Sequence, residues 1–158
     1  MESNKILKVF LFLLAAILIL GFVSCAQPDE LQSGELTIDI NRNKYVPTMS
    51  STVGIDLLPV YQIEIPSEEI ICHWRTNYGY FVAWNSPDFE VKILGPDVIT
   101  TGERIYWSYD PSEMGVVKPS VLISLQLLDR RTQQIVAETS MEVEWEARDT
   151  AIVINQLN

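Results

Sequence analysis

Residues 121–145 read VLISLQLLDRRTQQIVAETSMEVEW, and their hydrophobic period is two. Val121, Ile123, Leu125 and Leu127 alternate with Leu122, Ser124 and Gln126. After the polar run Asp129-Arg130-Arg131-Thr132-Gln133, a second alternation begins. Ile135, Ala137, Thr139, Met141, Val143 and Trp145 alternate with Val136, Glu138, Ser140, Glu142 and Glu144. Successive side chains of a strand point to opposite faces, so each run carries one face toward a core and one away from it. The pattern predicts two long strands joined as a hairpin.

Outward from this hairpin the same period recurs. Leu36, Ile38 and Ile40 alternate with Thr37 and Asp39, which predicts a first strand. Residues 53–64 are β-rich but contain Pro59, which has no N–H to give to a ladder; an edge strand or two short strands is expected. Ile70 to Arg75 reads as a strand and Thr76-Asn77-Tyr78-Gly79 as a turn, with Tyr80 to Trp84 returning. Asn85 to Asp88 reads as a turn, Phe89 to Leu94 as a strand, and Gly95-Pro96-Asp97 as its end. Val98 to Thr100, Thr101-Gly102-Glu103 and Arg104 to Tyr109 predict a further hairpin. Asp110-Pro111-Ser112-Glu113 has an N-cap residue, a proline at the first helical position and a glutamate at the third, but Gly115 limits it to one turn. Ala151 to Ile154 reads as a short strand or a packed tail.

These are about eight strands at close spacing with no helix after residue 25, so the fold class is all-β. The strand count and mature length resemble those of immunoglobulin-like domains, which implies a two-sheet antiparallel sandwich, with a small closed barrel as the rival. The Cys-Trp-Cys spacing of that class is absent.

The beginning of the chain is different in kind. Lys5 and Lys8 precede an uninterrupted apolar run from Val9 to about Val23, and Gly21 and Ser24 are small. At about 15 residues the run is shorter than the roughly 20 that a membrane-spanning helix needs. This is the layout of a cleaved export peptide. Val23-Ser24-Cys25 follows, a small residue before a cysteine, and here the sequence resembles a bacterial lipoprotein. Phe22 stands where that class usually has leucine. The resemblance implies a signal peptide at 1–24, a diacylglyceryl group on Cys25 as the new N-terminus, and a cell-membrane location on the extracytoplasmic face. Residues 25–34 then form the lipidated cysteine and a polar tether, and residues 35–158 the β-sandwich domain.

Charge narrows the partners. The chain has 11 basic and 21 acidic residues; Lys5, Lys8 and Glu2 lie in the export segment, which leaves 9 and 20. Nucleic acid is excluded as a partner, because neutralising phosphates requires clustered Lys and Arg. The only adjacent basic pair beyond the export segment is Arg130-Arg131, in a turn. The same negative charge keeps the domain off anionic lipid headgroups while the acyl chains hold it to the membrane.

Chemistry is sparse. Cys72 is the second of two cysteines; with Cys25 lipidated it has no disulfide partner, and its place between Ile70 and Trp74 predicts a buried, inert thiol. His73 is the only histidine, it faces the other way, and no Gly-x-Ser-x-Gly elbow accompanies it. Glu138, Glu142, Glu144 and Glu146 share one strand face, a solvated face that discourages edge pairing. No calcium-loop or zinc spacing occurs, so no metal, cofactor or catalytic residue is expected. The aromatic residues are the informative group. Alternation places Tyr80 with Trp84 and apart from Phe81, and Tyr106 apart from Trp107 and Tyr109. Both faces of these strands therefore carry aromatics, and Tyr80, Trp84 and Tyr106 are the candidate binding residues. The expectation is a non-enzymatic binding or assembly module for another envelope component. The alternatives are a carbohydrate-binding module that uses these aromatics, and a protease inhibitor that uses the loop at 110–118.

Overall fold

The computed structural model describes residues 35–85, 90–113, 119–146 and 150–157, which belong to one compact unit, Gln32–Asn158. The export segment, Cys25 and the tether lie outside the described residues, as do residues 114–118 of the 110–118 loop. Among the described residues eleven strands run in chain order: β1 (Glu35–Asp39), β2 (Lys44–Tyr45), β3 (Ile55–Gln62), β4 (Ile70–Thr76), β5 (Tyr80–Asn85), β6 (Glu90–Gly95), β7 (Asp97–Thr100), β8 (Ile105–Ser108), β9 (Val121–Asp129), β10 (Ile135–Trp145) and β11 (Ala151–Leu157). They form a five-stranded sheet, β1-β3-β8-β5-β6, and a six-stranded sheet, β2-β11-β10-β9-β4-β7. The domain is an all-β, two-sheet antiparallel sandwich. The strands beyond the expected eight include the two-residue β2.

The β9–β10 hairpin forms in the expected register, with Thr139 opposite Leu125 and Val143 opposite Val121. Val121, Ile123, Leu125, Leu127, Met141 and Val143 all point into the core. Two acceptors hold the turn. Asp129 Oδ1 accepts from the backbone of Arg131 and Thr132, and its carbonyl accepts from Gln133. Gln133 sits at φ 60°, a left-handed conformation that a non-glycine residue adopts only under such constraint. One expectation fails at the start of β10. The register slips between Ile135 and Ala137, so Ile135 turns outward, 41% exposed, while Val136 packs against the core. A bulge inserts one residue and reverses the faces beyond it.

Two predicted hairpins are corrected. β4 and β5 flank the Thr76–Gly79 turn but belong to different sheets, and so do β7 and β8 across Thr101–Glu103. Each turn carries the chain from one layer to the other. Gly79 and Gly102 adopt φ +74° and +100°, so the glycine signal was genuine. A tight turn between alternating runs serves a hairpin or an inter-sheet crossing equally, and only distant pairing decides between them. β3 is a single strand through Pro59. Its first half pairs with β8 and its second half with β1, so Pro59, opposite Ile38, lies where β3 has one neighbour, as on an edge.

The core contains Trp74, Phe81, Trp107 and Tyr109, each at most 1% exposed. At one end an aromatic cluster closes it. Tyr109 meets Trp145 edge to face at 4.8 Å between ring centroids, with Trp107 and Tyr45 beside it. The indoles are satisfied: Trp107 Nε1 donates to the Tyr78 carbonyl at 2.9 Å and Trp145 Nε1 to the Pro119 carbonyl. Cys72 is free and fully buried, as its place in the alternation predicted. The Asp110 N-cap also forms: its Oδ1 accepts from Ser112 N and Ser112 Oγ, and a single 3₁₀ turn spans Pro111–Glu113.

Candidate binding surface

The outer face of the five-stranded sheet follows from the strand registers. Ile55, Leu57, Phe81, Ile105 and Trp107 point inward. Their neighbours Asp56, Leu58, Val60, Val82, Trp84 and Tyr106 therefore point out, and Val91 and Ile93 join them opposite Trp84 and Val82. Val60, Val91 and Ile93 are 47%, 49% and 66% exposed. Val82 lies between Tyr106 and Ile93 and is buried although it points away from the core. An apolar surface thus runs from β3 to the edge strand β6 on the side that a solvated sandwich normally makes polar.

Of the three aromatic residues singled out by alternation, two meet here. Trp84 and Tyr106 pack edge to face, 5.7 Å between centroids and 69° between planes. Both are half-buried. Tyr80 does not join them. It stands opposite Ser108, diagonal to Tyr106 and about 13 Å from Trp84 along β5, with no ring contact to either. At that end the Tyr45 hydroxyl bonds Ser108 Oγ and the Val53 carbonyl. Gly54 comes so close that a Cβ there would lie 2.3 Å from the Trp107 carbonyl oxygen. Tyr80 thus stands between this closed end and Tyr106, on the same face as the pair.

One polar feature interrupts the apolar face, and periodicity gave no sign of it. Asp56 Oδ2 accepts from Asn41 at 2.8 Å and from Arg104, while Asp56 Oδ1 is buried without a hydrogen-bond partner. Burial, and secondarily the Asp56 charge, push the Tyr106 hydroxyl above its ordinary pKa; Arg104 opposes this. The pair fixes the β3–β8 edge of the surface.

The outer face of the six-stranded sheet is built differently. His73 Nε2 lies 2.7 Å from Asp97 Oδ1. Arg75 Nε donates to His73 Nε2 at 3.3 Å, and Arg75 Nη2 lies 3.3 Å from His73 Nδ1. Arg75 also donates to Gln126, and Gln126 to Glu138. This network crosses β7, β4, β9 and β10. Glu138, Glu142 and Glu144 do share this face, and Glu146, past the end of β10, pairs with Lys44 at 3.1 Å. Among the described residues no group of His, Cys, Asp and Glu is placed to hold a metal ion, and no helix is long and apolar enough to cross a membrane.

Compared with known protein families, with characterised proteins and with solved structures, the chain matches none.

Proposed function

We propose that this protein is a lipid-anchored, extracytoplasmic binding or assembly module, held to the membrane through Cys25 and docking another envelope protein without catalysis. The observation that carries the reading is the exposed apolar side chains of Val91 and Ile93 beside the half-buried Trp84–Tyr106 pair, with Val60 exposed on the same face. Water-exposed apolar area at an aromatic centre is the composition of a protein-docking patch. The lipobox-like Val23-Ser24-Cys25 supports the anchor. The carbohydrate reading draws on the same pair, but sugar stacking uses flat open ring faces, and here the rings meet at 69°. The inhibitor reading rests on the loop at 110–118 alone.

The test combines two measurements in cells. Labelled fatty acid should enter the full chain and be lost in Cys25→Ser. A photo-crosslinking side chain at Val60 should give one discrete protein adduct, and the same group at Gln133 on the distant turn should not. Equal adducts from both positions would sink the docking reading. So would a Val60 adduct that survives Trp84→Ala unchanged.

A further inference from the structure

β6 is an edge of the five-stranded sheet, and its outward side chains are left apolar. Edge strands present an unpaired row of backbone donors and acceptors, and native sheets normally cover or charge them. Val91 and Ile93 point outward and are about half and two-thirds exposed. Glu90 and Lys92 lie on the opposite face of the strand, also exposed. Among the described residues neither has an ion-pair partner.

These four residues constrain what can pair with this edge. In an antiparallel pair related by a twofold axis perpendicular to the sheet, outward residues face outward residues, so the axis passes through one residue of the strand. Centred on Lys92, the pairing sets Lys92 against Lys92. Centred on Glu90, it sets Glu90 against Glu90. Directly opposed like charges are unfavourable. Centred on Val91, it places Glu90 opposite Lys92 twice and Val91 opposite Val91. Ile93 then lies diagonal to the other copy's Val91, within side-chain reach. In that register both copies complete their charge pairs, and a four-residue apolar ribbon closes the outer face.

We infer that β6 pairs antiparallel with β6 of a second copy of this chain, in the register centred on Val91. The two five-stranded sheets become one ten-stranded sheet, and the two Trp84–Tyr106 surfaces form a single continuous face. Lys92 selects this register, because it forbids the one centred on itself and in the one centred on Ile93 it would face Leu94 with no carboxylate opposite. The pairing requires neither the anchor nor an envelope partner, so either reading can fail without the other.

Cysteine crosslinking in membranes carrying the full chain tests it. In the Val91-centred register the two Val91 Cβ atoms lie about 5 Å apart, and the two Ile93 residues about 14 Å apart. Under mild oxidant Val91→Cys should give a disulfide-linked dimer, and Ile93→Cys at least about tenfold less, because a disulfide needs close Cβ atoms. Lys92→Glu added to Val91→Cys should lower the yield severalfold, and Glu90→Lys on top of it should restore the yield by reversing each pair. Absence of a dimer at Val91 overturns the inference, as does an equal yield at Ile93. Failure of the charge reversal to restore crosslinking overturns the register.

Discussion

Trp84 and Tyr106 meet edge to face across adjacent strands of the five-stranded sheet, at 5.7 Å, on the side away from the core. Their contact stabilises the fold and shapes the surface together. Tilted aromatic pairs contribute about 1 kcal/mol beyond the area they bury. A double-mutant cycle in urea, using Trp84→Ala, Tyr106→Ala and both, should return a coupling of that size. A coupling near zero would mean that the rings are independent and the surface is not pre-formed.

The four tryptophans should divide by accessibility. Trp74 and Trp107 are fully buried, whereas Trp84 and Trp145 are half-buried. Acrylamide should quench a minor fraction of the emission, and Trp84→Phe should remove most of that fraction, because the Trp145 ring is enclosed by Tyr78, Trp107 and Tyr109. If Trp84→Phe leaves the quenchable fraction unchanged, Trp84 is covered in solution.

What the sequence disclosed and withheld follows one physical line. The period-two runs fixed the faces, so the buried state of Cys72, Trp74 and Leu125 was legible, and so was the all-β class. Faces do not specify partners. Thr76–Gly79 and Thr101–Glu103 carried hairpin-like turn residues, yet each joins different sheets. The bulge at Ile135 cost one residue of alternation that Val136 and Ala137, both apolar, could not reveal. At the candidate surface, alternation grouped Tyr80 with Trp84 correctly by face but could not show that only Trp84 and Tyr106 bring their rings together. The Asp56–Arg104 pair is 48 residues apart in sequence and had no local signal.

Two glycines with similar backbone angles should respond differently to alanine. Gly79 has φ +74°, and a Cβ there would lie 2.4 Å from the Ser108 carbonyl oxygen and 2.9 Å from Trp107 Nε1. Gly95 has φ +98° with nothing within 4 Å. Gly95→Ala should therefore cost only the left-handed strain, about 1 kcal/mol. Gly79→Ala adds a clash with backbone and with the buried indole, and should cost severalfold more. Thermal or urea unfolding of both variants checks the order; equal losses would mean that the Gly79 turn relaxes freely.

Cys72 ties stability to alkaline pH. Burial pushes its thiol up from 9.0 to about 11, with Glu103 adding to the shift and a bond to Thr100 opposing it. Between those values the unfolded chain has lost the thiol proton and the folded chain has kept it. The folded state binds more protons there, so stability falls as pH rises. The contribution is whole below pH 9 and is lost progressively up to about pH 11. At pH 10 the loss is about 1 kcal/mol relative to pH 8. Tyr45, Tyr61 and Tyr106 are also raised, chiefly by burial, and contribute with the same sign at higher pH. Cys72→Ala separates the thiol from the tyrosines. Its stability should be lower at pH 8, where a filled core position has been truncated, but should fall less between pH 8 and 10 than that of the wild type. A thiol reagent at pH 8 should label Cys72 only after unfolding. Identical pH slopes for the two proteins, or rapid labelling of the folded chain, would show that the thiol reaches water.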